Sequence, residues 1–399
     1  MNITHSIGLD TAKSSACYHL LDRSGHCVSR GQLKAQTAAV HGLLAHLSCD
    51  PDTVLVVAES TGMLHLDYCE AFHKAGCRVA VVNPLYKCNR SPKNAIRDNK
   101  TDPLDAEALA GLGLTDSQEL LTRFGYRCAA DFFKLQRYQS SRQLLRKCLT
   151  NITKHIGTLV HTLFPELDAL NLGIHQVGTR RLLRAHPSPA CIAAEELSEL
   201  RTYVGDKAEA LKRAAANSFA IGAMAAACEE GLLAKLLDSY EQLEQNIQQL
   251  DHKIAQLLTT CAGSTNVGLV RSIPGFGEKT TPAVLAFIKP EHLKAGNKRT
   301  ITRKLQAHFG TDPRVKQSGR WKGTAKISKR GNRIARNALF QAAFCGIKFD
   351  PQLRQYYRSL RDRGKDHKLA MVDLMRKQLN RLVSVLVNQQ PFTPKKQTI

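Results

Sequence analysis

Four acidic side chains are the residues of this sequence best suited to chemistry. Asp102 and Asp105 stand three positions apart, where Thr101 or Asp102 can cap a helix whose first turn includes Pro103. Residues three apart on a helix lie on one side of it, so the two carboxylates can converge on one point. An ordinary acidic helix start has the same pattern, so this pair needs support from elsewhere in the chain.

That support comes from Asp10 and Glu59, which lie in apolar segments that resemble β-strands. A charged carboxylate on a buried strand is costly unless it is paired or bound to a metal. In α/β folds, sites also form at the carboxyl ends of strands. Taken singly, Asp10 is explained as a turn or edge residue, and Glu59 is explained as a surface residue at the exit of its strand. The four acids taken together favour a shared metal site.

Ser318 is a second candidate for chemistry, because it lies in a basic glycine-containing segment, residues 310–323. Cations around a serine can bind the phosphate that it attacks and stabilise the charge that develops. A Ser-Gly pair in such a segment is more commonly a flexible phosphate contact, and both interpretations stay open. The predicted nucleic-acid contacts of this region are Arg314, Lys316, Arg320, Lys322, Lys329, Arg330, Arg333 and Arg336.

A tight glycine turn precedes that segment, in Ser272-Ile-Pro-Gly-Phe-Gly-Glu-Lys279. Such a turn exposes backbone N–H groups at the start of a helix, which suits a DNA phosphate without reading its sequence. Helix-hairpin-helix modules use this arrangement, and a plain helix–helix corner is the alternative. Further predicted phosphate contacts are Gly275, Gly277, Lys279 and, near Asp10, Lys13.

The elements that position Asp10 and Glu59 are predicted to form an α/β sheet of mixed strand direction. Residues 5–22 are expected to form two strands, and Cys27–Lys34 a third. The apolar runs Thr53–Val57 and Arg78–Val82 have the character of central strands, and helices are expected between them.

The middle of the chain is predicted to be helical, with a coiled-coil pattern at its end. An intramolecular helical hairpin and self-association as a dimer or tetramer both fit this pattern. We expect three domains, residues 1–125, 126–262 and 263–399. The apolar residues spaced by three and four are Leu232, Leu236, Tyr240, Leu243, Ile247, Leu250, Ile254 and Leu257.

The charge of the chain is concentrated at its carboxyl end. The 399 residues carry 57 basic and 34 acidic side chains, and residues 287–399 hold 27 of the basic and 6 of the acidic ones. This distribution indicates an anionic polymer as partner. The 12 cysteines include no Cys-x-x-Cys pair, which disfavours a zinc site and suits free thiols in the cytoplasm. No apolar stretch is long enough to span a membrane, and no signal-peptide pattern opens the chain.

Several of these segments occur together in one known family. In order they are Ile7-Gly-Leu-Asp-Thr-Ala-Lys13, Ala58-Glu-Ser-Thr-Gly62, Val82-Asn-Pro84, Asn99-Lys-Thr-Asp-Pro-Leu-Asp-Ala106, Ser272–Lys279 and Gln317-Ser-Gly319. The chain thereby resembles the DEDD transposases of the insertion-sequence "one-ten" family, the bridge-RNA-guided recombinases. The match covers roughly residues 5–125 and 265–385.

The resemblance implies a RuvC-like (ribonuclease H-like) amino-terminal domain, a coiled-coil connection and a carboxyl-terminal transposase domain. It implies that Asp10, Glu59, Asp102 and Asp105 bind metal, expected to be two Mg²⁺ ions with Mn²⁺ as a substitute. Ser318 matches the serine that links transiently to DNA. The family further implies donor and target DNA and an element-encoded bridge RNA as partners, nucleoid association during action, and an active site completed between subunits.

Three other interpretations stay open at this point. A RuvC-like structure-selective nuclease would use the same four acids, with Ser318 only binding phosphate. A non-catalytic nucleic-acid scaffold would apply if the four acids did not converge. An actin-fold kinase is a weaker alternative, because Ile7-Gly-Leu-Asp-Thr11 resembles a phosphate loop but no further glycine-rich nucleotide loop follows.

Overall fold

The computed structural model describes most of the chain, in two compact units, Met1–Ala129 and Ala130–Ile399. For residues 130, 223–228, 314, 317–318 and 321–322 the description is limited to the backbone. Among the residues that the structure describes, no helix is long and apolar enough to cross a membrane. The described residues are 2–47, 49–60, 62–84, 86, 101–126, 130–219, 223–294, 296–314, 317–318, 321–322 and 326–394.

The first unit is built on a five-stranded sheet. Its strands are β1 (His5–Thr11), β2 (Ser15–Asp22), β3 (Cys27–Lys34), β4 (Val54–Glu59) and β5 (Arg78–Val82), in the order β3-β2-β1-β4-β5. The first three strands pair antiparallel, whereas β1, β4 and β5 run parallel. The mixed strand direction predicted from the sequence is confirmed.

Apolar side chains cover both faces of the central strands. Ile7, Leu9 and Val56 face a core closed by α1 (Thr37–Ala45) and α2 (His65–Lys74). Leu55 and Val57 face the opposite core, formed with α3 (Asp102–Thr115) and α4 (Ser117–Phe124). Central strands that are buried on both faces need continuous apolar runs, which is the pattern that Val54–Ala58 shows.

The second unit begins with a long helical hairpin of α5 (Ala130–Leu163) and α10 (Ala223–Ala262). Their contact buries side chains of both helices, among them Ile156 and Leu237. The apolar pattern predicted as a coiled coil therefore packs within the chain. Leu232 at its start is 47% exposed, while Leu233 next to it is fully buried.

Four short helices lie between the two arms of the hairpin in sequence and pack on its core: α6 (Val177–Ala185), α7 (Pro189–Ala194), α8 (Leu197–Val204) and α9 (Ala208–Ala216). The buried Arg180 guanidinium ties this group to α10, because it lies 3.3 Å from a carboxylate oxygen of Glu244 and over the ring of Tyr240. Glu166 joins the chain after α5 to the chain after α9, because it accepts hydrogen bonds from the Ser218 hydroxyl and from the Phe219 N–H.

The remainder of the second unit is a helical core around α17 (His367–Asn388). Side chains from α5 and α10 reach this core. The other helices that share it with α17 are α11 (Ser264–Arg271), α12 (Thr280–Leu285), α13 (Pro290–Leu293), α14 (Lys298–Phe309), α15 (Arg333–Phe349) and α16 (Pro351–Asp362). A mostly helical second unit after an α/β sheet is compatible with the predicted RuvC-like domain followed by a helical region.

Residues 310–331, which we call the 310–331 arm, join α14 to α15. Near its base the arm pairs β6 (Pro313–Arg314) with β9 (Lys326–Ile327), antiparallel. Further out, β7 (Gln317–Ser318) pairs with β8 (Trp321–Lys322), so that Ser318 is opposite Trp321. The backbone of Ser318 therefore lies on a two-stranded ribbon.

Candidate active site

Asp10 and Glu59 lie side by side at the same edge of the sheet. The parallel pairing of β1 and β4 runs through Leu9 and Ala58, and each acid is the next residue on its strand. Both side chains are directed to the face that α3 covers, because each lies two positions after a residue on that face, Gly8 or Val57. Both are half-buried.

Two glycines fix the path of α3 over this face. A Cβ on Gly8 would lie 2.0 Å from the Ala106 carbonyl oxygen, and a Cβ on Gly113 would lie 2.0 Å from the Ser6 hydroxyl oxygen. Residue 113 thus lies beside residue 6, and residue 106 beside residue 8. The helix therefore runs opposite to β1, and its amino-terminal turn points toward Asp10.

That first turn carries Asp102, which is exposed, and Asp105, which is half-buried. Asp102 and Asp10 both act electrostatically on one thiol, that of Cys17, which is cross-strand from Asp10. Burial, then Asp102, then Asp10 raise the pKa of this thiol. The strands therefore place Asp10 beside Glu59, and the charges of Asp102 and Asp10 reach the same thiol. Sequence reasoning did not identify Cys17 as a neighbour of these acids.

The donor set at this corner consists of carboxylates, the oxygen ligands that Mg²⁺ prefers. It fits a hard divalent cation in chemical type. In the part of the chain that the structure describes, no group of three or more His, Cys, Asp or Glu side chains is already close enough to hold an ion. What the structure brings together is the ends of β1 and β4 and the first turn of α3.

Ser318 is placed by the backbone of the 310–331 arm, in its outer ribbon. Of the cations predicted around it, Arg314 and Lys322 lie on strands of the same arm, described by backbone alone, and Lys316 and Arg320 lie outside the described residues. Lys329 and Arg330 are exposed at the base of the arm, and Lys13 is exposed after β1.

The turn of residues 272–279 joins α11 to α12, as the predicted glycine turn requires. Gly275 has φ +102°, and a Cβ there would lie 2.0 Å from the Ala342 carbonyl oxygen, so this glycine permits close packing on α15. The Gly277 N–H donates to the Thr280 hydroxyl at 2.9 Å. Lys279 is exposed and forms an ion pair with Asp251, to which Arg142 also donates.

Arg333 and Arg336 differ in exposure and in hydrogen bonding, although both lie in the first turn of α15. Arg333 is exposed, as a phosphate contact requires. The Arg336 guanidinium instead donates to the carbonyl oxygens of Phe309 and Gly331, and burial followed by the charge of Arg333 lowers its pKa.

Sequence reasoning missed a basic surface on α14. Lys298, Arg299, Arg303 and Lys304 are all exposed on this helix, which has no acidic residue between 298 and 309. The spacing of the four cations on an amphipathic helix was the available signal.

Two transposase family models match this chain, over residues 7–165 and 267–358, together more than half of it. The second is described as the transposase IS116/IS110/IS902 family. The chain belongs to the IS110 family of DEDD transposases. The first match spans the four acids, and the second spans the glycine turn, the 310–331 arm and Arg336.

Relatives of this IS110-family transposase include two proteins of Streptomyces coelicolor. It is 24% identical to the insertion element IS110 uncharacterized 43.6 kDa protein, over 95% of this chain and 93% of the relative. It is 23% identical to a mini-circle putative transposase for IS117, over 98% of this chain and 96% of the relative. It is also 30% identical to the pilin gene-inverting protein of Moraxella lacunata, over 39% of this chain and 48% of the relative.

The family assigns the protein its general activity, DNA transposition or recombination, and DNA as its substrate. The net positive charge of residues 287–399 is of the sign that attracts the phosphate backbone of DNA.

Proposed function

We propose that this transposase cuts and rejoins donor and target DNA through a covalent phosphoserine at Ser318, with Mg²⁺ held by Asp10, Glu59, Asp102 and Asp105. The observation that carries the proposal is the placement of Asp10 and Glu59 on neighbouring parallel strands beneath the first turn of α3. An element-encoded bridge RNA is proposed to select the two DNA sites by base pairing.

The four carboxylates supply the metal-binding half of the site. When bound there, two divalent ions supply Lewis-acid stabilisation of charge on the phosphate and on the leaving oxygen. Because Asp102 and Asp105 belong to one helix turn and Asp10 and Glu59 to two strands, the donors come from three rigid elements. Such elements hold a site more accurately than loops do.

Ser318 supplies the nucleophile. Its Oγ forms a bond to phosphorus, the bond from phosphorus to one deoxyribose oxygen breaks, and that oxygen takes a proton to become a free hydroxyl. The serine proton passes to water. In the second step a DNA hydroxyl attacks the phosphoserine, forms the new phosphodiester and returns the hydroxyl to Ser318. No energy source is required, because one phosphodiester bond is exchanged for another.

The basic side chains hold the nucleic acids. The exposed cations of α14, with Lys329, Arg330 and Arg333, present positive charge next to the base of the 310–331 arm. Such residues bind backbone phosphates and give affinity without reading sequence. Sequence selection is therefore assigned to the bridge RNA. Self-association, which would bring the metal site of one subunit to the serine of another, completes the proposal.

A denaturing trapping assay tests the proposal. Full-length protein is mixed with transcripts of the flanking RNA of its element, labelled donor and target DNA, and Mg²⁺, and is then denatured. A labelled protein–DNA adduct is expected from the wild type, and none from Ser318→Ala or Asp102→Asn. Matched controls are Thr324→Ala, a hydroxyl residue within the sequence range of the 310–331 arm, and Glu107→Gln, an exposed acid on the same helix as Asp102.

The assay separates the proposal from hydrolysis. DNA cleaved without an adduct, and still cleaved by Ser318→Ala, would replace the proposal with a metal-dependent nuclease. An adduct that persists in Ser318→Ala would assign the nucleophile to another residue. Omission of the RNA tests guidance separately, because site choice is expected to disappear with it.

A further inference from the structure

The two ends of the 310–331 arm meet in direct backbone contact. A Cβ on Gly310 would lie 2.6 Å from the Gly331 nitrogen, and a Cβ on Gly331 would lie 2.2 Å from the His308 carbonyl oxygen. Gly310 also has φ +66°, which ends α14 in the left-handed conformation that glycine adopts most readily. Side chains at either position would separate the two ends.

A ladder of backbone hydrogen bonds closes this base. The Asn332 N–H donates to His308 at 2.8 Å, the Lys329 N–H to Gly310 at 3.0 Å, and the Ser328 N–H to Asp312 at 2.8 Å. The Ser328 hydroxyl donates to the Asp312 carboxylate as well. Several hydrogen bonds therefore join the two ends of the arm at its base.

Arg336 ties the two ends together from the side. Its Nη1 donates to the Phe309 carbonyl oxygen, at the entry of the arm, at 2.9 Å, and to the Gly331 carbonyl oxygen, at its exit, at 3.2 Å. The same nitrogen lies 2.8 Å from the position of a Cβ on Gly310. The guanidinium therefore occupies the space that the glycine leaves open.

We propose that Arg336 is a positioning residue that fixes the base of the 310–331 arm and thereby sets the direction in which Ser318 is presented. This inference rests on the proposed role of Ser318. Ser318 follows the base closely in sequence, so the point at which the chain leaves the base constrains where Ser318 can lie. A displacement of about 1 Å at a reacting atom can reduce a rate about a hundredfold. Arg336 is thus assigned a role different from the phosphate contact that the sequence suggests.

Arg336→Gln and Arg333→Gln form a matched pair for the test, because both arginines lie in the first turn of α15 and Arg333 is exposed. Hydrogen exchange on the full-length protein without DNA gives the first readout. In Arg336→Gln the amides of Ser328, Lys329 and Asn332 are expected to exchange about tenfold faster, from loss of the hydrogen bonds that hold the base. Arg333→Gln should leave them unchanged, and amides of α17 report on global unfolding in both variants.

The second readout is the adduct assay, run at saturating DNA and over a range of salt. Arg336→Gln is expected to form the adduct about 10- to 100-fold more slowly, with unchanged DNA affinity and salt dependence. Arg333→Gln is expected to weaken DNA binding and to reduce the salt slope by about one. Arg336→Lys keeps the charge but has no nitrogen at the position of Nη1, which donates both hydrogen bonds, so it should behave like Arg336→Gln.

Two results overturn the inference. One is unchanged exchange at Ser328, Lys329 and Asn332 in Arg336→Gln. The other is a loss of DNA affinity and salt slope in Arg336→Gln equal to that in Arg333→Gln, which would make Arg336 a phosphate contact. If the wild type forms no adduct, the proposed function fails, and the exchange data still decide whether Arg336 holds the arm.

Discussion

Gly8 on β1 and Ala106 on α3 are in backbone contact. A Cβ added to Gly8 would lie 2.0 Å from the Ala106 carbonyl oxygen and 2.4 Å from the Ala110 nitrogen. Both neighbours are backbone atoms of one helix, so a side chain at residue 8 could fit only if the helix moved. This contact sets the height of α3 above the sheet and, with it, the position of Asp102 relative to Asp10.

Gly8→Ala is expected to destabilise the protein by about 1–3 kcal/mol, the usual cost of overpacking a tight contact. Gly111→Ala on α3 is the control, because a Cβ there would meet no atom within 4 Å. Alanine is preferred over glycine in a helix, so this control should be neutral or stabilising by up to about 1 kcal/mol. Urea unfolding measures the stability of both variants. A midpoint for Gly8→Ala equal to that of the wild type would contradict the close contact.

The electrostatic link between Asp102 and Cys17 gives a chemical test of how the acids converge. Asp102→Asn removes a negative charge that raises the pKa of the Cys17 thiol, so more thiolate should form at a given pH. Iodoacetamide should therefore label Cys17 about threefold faster in this variant, measured by peptide mass spectrometry. Glu107→Gln, on the same helix, should leave the rate unchanged. Equal labelling rates in the wild type and both variants would show that the charge of Asp102 does not act on the Cys17 thiol.

A buried ion pair lies in the helical core of the second unit. Arg381 lies 2.6 Å from the carboxylate of Asp350, and the two side chains are 9% and 4% exposed. Gln378, one turn earlier on α17, donates to the Pro274 carbonyl oxygen at 2.8 Å and so holds the glycine turn against this core.

Arg381→Met is expected to cost about 3–5 kcal/mol, because it leaves the Asp350 carboxylate buried without its partner. Arg376→Met is the matched control on the same helix, since Arg376 is 31% exposed and lies 3.6 Å from Asp373. A partly exposed pair that water can reach contributes about 0–1 kcal/mol. Chemical denaturation measures both, and similar losses would show that the Arg381 pair is effectively solvated.

Stability below neutral pH is expected to depend on His292. Its Nδ1 accepts the Lys289 N–H, its ring lies 5.0 Å from that of His308, and burial, followed by the charges of His308 and Lys289, lowers its pKa to about 4. In the unfolded chain the pKa is near 6.5. Between these values the unfolded state binds the proton and the folded state does not, so stability falls as the pH drops from 6.5 toward 4.

His292→Asn keeps a side-chain acceptor for Lys289 and removes the titration. The midpoint of thermal unfolding should then fall less steeply between pH 7 and pH 5 than in the wild type. His252→Asn, at an exposed position on α10, controls for loss of an ordinary histidine. Identical slopes in the wild type and His292→Asn would show that His292 titrates normally in the folded protein.

The sheet could be predicted from the sequence, because its central strands are apolar on both faces. The run Arg78–Val82 matches β5 in both of its ends, and the parallel order brings Glu59 beside Asp10. Cys17 could not be placed in the same way. Its position beside the acids depends on the register of β2, which one sequence does not specify when alternative pairings remain possible.

The roles of individual cations were also hidden from sequence reasoning. Arg333 and Arg336 belong to one basic segment, yet only the fold shows that Arg336 donates to two carbonyl oxygens. The same holds for Lys279, which is paired with Asp251 on α10. Composition reveals that a region is basic, but the hydrogen-bond acceptors that surround each cation come from distant segments.

The most direct test of the central claim is to identify the residue that carries DNA. The trapped adduct is digested with nuclease and then with trypsin, which cleaves after Lys316 and Arg320 and releases the peptide Gln317–Arg320. Mass spectrometry is expected to find this peptide with a nucleotide attached through Ser318, and to find it unmodified in Asp102→Asn. A nucleotide on any other residue, or a cleaved substrate with no nucleotidyl peptide, would contradict a phosphoserine mechanism in this transposase.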